Sequence, residues 1–209
     1  MSSLYESIKN FIATRESEQS LIPQERKENL LRFSKSIREM RNGQSYSEMI
    51  FVCTHNSRRS QIAQMFALVC AEYLGISGIG SYSGGTEITA FHPNSVRALT
   101  EIGFKIEKEK NTEDNPRYWV SYKENNVPIL AFSKLYSDVV NPSKKFIAVM
   151  VCSSADEACP FVPGAEVRIS LPYPDPKSSD GTPQVLEEYI KTCETIAREL
   201  LFVMKNVAT

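Results

Sequence analysis

The chain has 209 residues, with 24 lysines and arginines against 25 aspartates and glutamates and 42% hydrophobic residues, enough to bury one good core without an excess of either charge. The lack of a long basic run argues against a nucleic-acid partner, and no apolar stretch is long enough to cross a bilayer. Two histidines leave a histidine-rich metal site short of ligands, so neither a metal nor a cofactor is expected.

The opening "MSSLYESIKNFIATRESEQS" has no apolar core of an export signal. The five cysteines are therefore expected as thiols in a reducing compartment, the cytoplasm, and not as a disulfide framework. Residues 1–47 read as an N-terminal helical extension. Leu4, Ile8, Phe11 and Ile12 make one apolar stripe, and Leu30, Phe33, Ile37 and Met40 make another. Pro23 suits the first turn of the second helix and Asn42-Gly43 its end. Such stripes pack on the chain's own domain, on a second copy to give a homodimer, or on another partner.

Residues 48–209 alternate strand and helix. "EMIFVC" is a short apolar strand, followed by a helix with the stripe Ile62, Phe66, Val69, Cys70 and Tyr73. "IGSYSG" is a second strand, and Pro93 to Gly103 a helix with Val96 and Leu99 inward. Residues 111–145 break the pattern: "RYWVSY" and "VPILAF" flank the turn-like "KENN", as in a hairpin or irregular insertion. "KFIAVMVC" is a third strand, apolar throughout as when both faces are covered, and "AEVRISLP" a fourth. Pro183 to Lys205 closes the chain as a long helix carrying Cys193 on its apolar stripe. The alternation implies a parallel α/β sheet covered on both faces.

In such sheets ligands bind beyond the carboxyl ends of the strands. "CTHNSRRS" stands there, and the backbone N–H groups of Thr54, His55, Asn56, Ser57, Arg58 and Arg59 can form a nest for an anion at the start of the next helix. Five residues separate Cys53 from Arg59. If the loop curls around a tetrahedral oxyanion, Arg59 returns to clamp two of its oxygens while the Cys53 sulfur attacks from below, and Ser60 can donate to that sulfur. By itself the spacing equally describes a strand-end cysteine near a surface arginine.

"VCTHNSRRSQIAQ" resembles the signature of the low-molecular-weight protein tyrosine phosphatase superfamily, which includes thioredoxin-coupled arsenate reductases. The resemblance spans roughly residues 48 to 205, the insertion excepted. It implies a flavodoxin-like three-layer sandwich with a four-stranded parallel sheet in the order 2-1-3-4, Cys53 as nucleophile, Arg59 as oxyanion binder, and Asn56 and Ser60 as loop stabilisers. Through "SYSGG" it also implies Ser83 as support behind the loop. Two positions depart from the family pattern: His55 stands where glycine is usual, and Arg58 where cysteine is usual. A glycine there often serves an unusual backbone angle.

"VMVCSSADEACPFVPG" resembles the arsenate reductase pattern, with Cys152 ending the third strand and Cys159 following. Adjacent strands lie about 4.8 Å apart, so the order 2-1-3-4 would bring Cys53 and Cys152 out side by side. Asp175 in "YPDPKSSDG" matches the family's Asp-Pro acid, or merely caps a turn; Asp180 before Gly181 reads as turn chemistry. Lys177 and Ser178 occupy the places of the aromatic pair found in many tyrosine phosphatases. Cys70 and Cys193 read as core residues.

Three functions fit. The first is reduction of arsenate by a relay of Cys53, Cys152 and Cys159, with thioredoxin as reductant. The second is hydrolysis of phosphate monoesters through a Cys53 phosphocysteine with Asp175 as general acid. The third is a non-enzymatic oxyanion or redox sensor whose N-terminal helices contact a partner.

Overall fold

A computed structural model describes residues 4–110, 112–125 and 127–208. Its centre is β1 (Ser47–Cys53), in which every residue but Glu48 is buried. Parallel strands pair with it on both sides: β2 (Ile79–Gly85) on one, the wholly buried β6 (Phe146–Met150) on the other. Beyond β6 lies β7 (Ala165–Ser170). Counted by themselves, the four strands run in the order 2-1-3-4.

Helices α3 (Arg59–Tyr73) and α4 (Pro93–Ile102), the short α5 (Ser153–Ala158) and the long α6 (Val185–Ala208) connect and flank this sheet. Local chemistry sets their ends. At α4, His92 caps the start through Nδ1, which accepts the Asn94 N–H, and Pro93 follows at the first helical position. Gly103, at φ 118°, ends the helix in a conformation that favours glycine.

The N-terminal chain forms α1 (Glu6–Ser17) and α2 (Gln24–Gln44), whose apolar stripes pack on the chain's own core. Ile8, Ile12, Leu30, Phe33 and Ile37 are inaccessible to solvent. Phe33 meets Phe51 of β1 edge-on at 6.4 Å, and Phe11 stacks on Phe66 of α3 at 5.6 Å. Helix α2 runs through Asn42-Gly43 rather than ending there. It stops when Ser45 takes a left-handed conformation, φ 62°, and returns its N–H to the Arg41 carbonyl.

The insertion is a small antiparallel sheet, β3 (Lys105–Lys108), β4 (Tyr118–Ser121) and β5 (Ile129–Ala131), in that order. The two runs read as a hairpin make β4 and β5; Asn126 of the turn between them lies outside the described residues. The sheet also recruits β3, upstream of residue 111, a four-residue strand whose only apolar side chain is Ile106. From β5 the chain crosses the edge of β2. Gly85 donates its N–H to the Lys134 carbonyl and accepts the Tyr136 N–H, at 2.8 and 2.9 Å. A side chain on Gly84 would have its Cβ 2.3 Å from the Tyr136 Cα.

Among the described residues no helix is long and apolar enough to cross a membrane. The backbone contact at Gly84 cannot relax by a rotamer change, so Gly84→Ala should destabilise the fold by about 1–3 kcal/mol and speed amide exchange at Tyr136. A parental denaturation midpoint would mean that residues 133–136 do not rest on β2.

Candidate active site

The buried run of β1 ends at Cys53, itself 5% exposed, and the chain then curls through residues 54–58 into α3. The tight point of the curl is Asn56, at φ 47°, a conformation that asparagine tolerates better than most residues. The unusual angle thus falls one residue beyond His55. Asn56 aims its N–H at the Cys53 sulfur (3.2 Å) and donates from Nδ2 to Ser60 Oγ (2.9 Å). Because Ser60 Oγ accepts that bond, its own hydrogen is free to turn to Cys53 Sγ, 3.1 Å away. No side chain caps α3, which leaves its first-turn N–H groups for an anion.

Arg59 opens α3 and reaches across to the segment after β7. Its guanidinium donates to the Tyr173 carbonyl at 2.8 Å and to Asp175 Oδ2 at 2.6 Å. The other carboxylate oxygen of Asp175 accepts the Lys177 N–H, capping the 3₁₀ turn Pro176–Ser179. Asp175 therefore caps a turn and also faces Arg59. Alongside the loop opens a cavity of about 280 Å³, lined by His55, Ser57, Arg58, His92 and Lys177 among others. The half-exposed imidazole of His55 lies 3.4 Å from Glu87.

Two residues past the neighbouring strand β6 the chain reaches Cys152, which is 1% exposed and forms the N-cap of α5. Its sulfur accepts the Ala155 N–H at 3.4 Å and lies 3.6 Å from Thr54 Oγ1, one residue past Cys53. Cys159, partly exposed, sits at the other end of α5. Arg168 of β7 pins that end by donating to the Cys159 carbonyl and to both the carbonyl and carboxylate of Asp156. Cys70 and Cys193 lie in the core, where burial pushes both thiols up and away from reactivity. Ser83 is buried in β2 opposite Phe51, and its hydroxyl makes no hydrogen bond.

No family model matches the chain. An arsenate reductase of Brevibacillus brevis is 31% identical over 130 residues, which cover 62% of this chain and 77% of the relative. The chain belongs to the family of that arsenate reductase. A YwlE mutant from Bacillus subtilis shares the fold at a TM-score of 0.52 and 16% identity, over 78% of this chain and 99% of that one. So does a low-molecular-weight protein tyrosine phosphatase from T. tengcongensis, at 0.50 and 18%, over 76% and 98%.

Against the family pattern, Arg58 is the clearest departure, and the structure explains how it is accommodated. Its guanidinium donates to the Tyr189 hydroxyl (2.6 Å) and to Asp180 Oδ2 (2.7 Å), while Tyr189 and Asn94 donate to Asp180 Oδ1. His92 stacks on the Tyr189 ring. Asp180 is thus an anchor for α3, α4 and α6 as well as a turn residue. Burial and the Arg58 charge hold His92 below the usual imidazole value, against the opposing pull of Asp180 and Asp175. Burial and Asp180 push the Tyr189 phenol up to about 12, against the effect of Arg58, which keeps it a donor. Sequence reasoning missed Asn94, Asp180 and Tyr189 because each is distant in the chain from Arg58. Gln61, which braces Asn56 through its carbonyl and Oδ1, and Lys134, whose N–H also meets that Oδ1, were missed too.

Partial burial opposes ionisation of Asp180, yet donation from Tyr189, Asn94 and Arg58 holds its carboxyl below the usual value of 3.8. A depressed carboxyl stabilises the fold above the unfolded value, and the contribution is lost as pH falls through the folded one. Asp180→Asn should therefore reduce stability by about 1–3 kcal/mol at pH 7 in urea unfolding, and by progressively less below pH 4. A difference independent of pH would remove the charge on Asp180 from the explanation.

Proposed function

We propose that this enzyme reduces arsenate to arsenite by a relay of Cys53, Cys152 and Cys159, with a thioredoxin-type dithiol restoring the thiols. The observation that carries the reading is the second buried thiol, Cys152, beside the loop that begins at Cys53. A hydrolase needs only one.

Arsenate enters the nest of first-turn N–H groups and is clamped by Arg59. The Cys53 thiolate attacks arsenic and displaces an oxygen, which leaves as water once protonated; Asp175 is placed beside Arg59 to assist that transfer. Cys152, as thiolate, then attacks the Cys53 sulfur. The new S–S bond takes the place of the S–As bond, whose electron pair stays on arsenic and departs as arsenite. Cys159 next attacks the Cys152 sulfur, Cys53 leaves as thiolate, and a Cys152–Cys159 disulfide remains for the external dithiol to reduce. Helix α5, only six residues long, has to rearrange for the last exchange. Such a relay belongs in a reducing compartment, which accords with a cytoplasmic setting.

One observation favours a second reading. Asp175 lies 2.6 Å from Arg59; in this reading its carboxyl is the acid that protonates the leaving group of a phosphate monoester as Cys53 attacks phosphorus. Phosphate and arsenate share shape and charge, so one loop can serve both.

Reduced protein should be mixed with arsenate, quenched with a thiol-blocking reagent, and its disulfides mapped by mass spectrometry while arsenite is assayed. Arsenite with a Cys152–Cys159 disulfide is expected. Cys159→Ser should complete one turnover and stop as a Cys53–Cys152 disulfide, and Cys53→Ser should form neither product. No arsenite from a protein that still hydrolyses an aryl phosphate would leave the phosphatase reading in its place.

A further inference from the structure

The segment that carries Asp175 is gripped from two directions. Leu171 and Tyr173 extend the sheet by donating their N–H groups to the Met150 and Val151 carbonyls. Of the two carbonyls that follow, Tyr173 O accepts from Arg59 at 2.8 Å, and Pro172 O accepts from Arg26 at 3.1 Å. Arg59 belongs to the oxyanion loop. Arg26 belongs to α2, outside the stretch from residue 48 that resembles the family.

Arg26 is itself held rigidly. Its Nε and Nη2 make a two-pronged pair with the buried carboxylate of Glu199 on α6, at 2.9 to 3.0 Å. A bidentate pair fixes the plane of the guanidinium as well as its distance. That plane lies over the ring of Tyr173, with the guanidinium carbon 4.9 Å from the centroid. The ring is neutral, since burial and the Glu199 charge push its phenol well up. Only Pro174 separates Tyr173 from Asp175, and a proline has one backbone torsion locked. Motion of residues 172–173 therefore passes to the Asp175 carboxylate with little slack.

We infer that Arg26 is a positioning residue: by holding Pro172 and Tyr173 it keeps Asp175 against Arg59, so that the N-terminal helices act on proton transfer at the site. The effect on catalysis rests on the role of Asp175 proposed above; the grip on the segment does not.

Removing Arg26 alone would strand the buried Glu199 charge, so the test uses Arg26→Met with Glu199→Met, which replaces the pair by apolar side chains. Two measurements are made on the full chain. In hydrogen exchange, the Tyr173 and Lys177 amides should exchange about tenfold faster or more, while amides within β1 keep their rates. In hydrolysis of p-nitrophenyl phosphate, kcat should fall about tenfold at unchanged KM, a fraction of the roughly 10²–10⁴ that a placed acid contributes. The same pair of changes should cost no further activity in an Asp175→Asn background. Unchanged exchange at Tyr173 and Lys177 would overturn the inference, as would an equal loss of kcat with and without Asp175. A parent enzyme inactive on the ester would count against the acid role of Asp175, and the exchange rates would still decide whether Arg26 holds the segment.

Discussion

A single buried amide, that of Asn56, governs the geometry of the site. Its backbone is bent into a left-handed turn and its side chain is inaccessible to solvent, so each polar atom it carries inside the protein needs a partner. Nδ2 finds Ser60, and Oδ1 finds both the Gln61 side chain and the Lys134 backbone. These bonds tie together the end of β1, the first turn of α3 and the insertion. With the amide satisfied in this way, the Asn56 N–H can point only inward, at the Cys53 sulfur. Loss of one partner would leave a buried polar group unmet and relax the curl that sets the cysteine against its donors.

The sheet performs the second act of placement. Because β1 is hydrogen-bonded on both sides, its carboxyl end is fixed relative to two neighbours at once. One of them, β6, runs parallel and stops at the same edge, which delivers Cys152 beside the loop without any contribution from the intervening hundred or so residues beyond their folding into the sheet. The chemical contrast among the cysteines follows from position. Those at strand ends meet N–H and hydroxyl groups, whereas Cys70 and Cys193 are buried on helices, where Cys70 donates to the Ala197 carbonyl at 3.7 Å.

The α/β class and the strand-end cysteines were legible because they rest on local signals, runs of apolar residues and helical stripes, whereas the order of the four strands came only from the resemblance carried by the loop signature. The hairpin within the insertion was legible for the same reason, but β3 was not, since four residues with one apolar side chain give no period to read. Asp180 announced only a turn. Its partnership with Arg58 and Tyr189 joins positions that no periodicity links, and an aspartate before glycine gives no hint of the cluster built on it. Arg26 was likewise one charge among many on a polar helix face until the fold set it beside Pro172 and Glu199. Ser83 was assigned through resemblance alone, and in the strand its hydroxyl makes no hydrogen bond.

The segment laid across Gly84 and Gly85 has a consequence for how the molecule meets others. An open sheet edge is a row of unpaired donors and acceptors, and at the end of β2 that row is taken up by the Lys134 carbonyl and the Tyr136 N–H, while the Asn141 side chain caps the Ser83 carbonyl. At the opposite edge, β7 carries Glu166 and Arg168, charged side chains that discourage a visiting strand. A partner, including the reductant that the proposed relay would require at Cys159, therefore finds the end of β2 already paired and the β7 edge flanked by charge. On that proposal the reductant would have to recognise side chains and loop shape, and its selectivity would be written in the surface near α5 and not in the sheet.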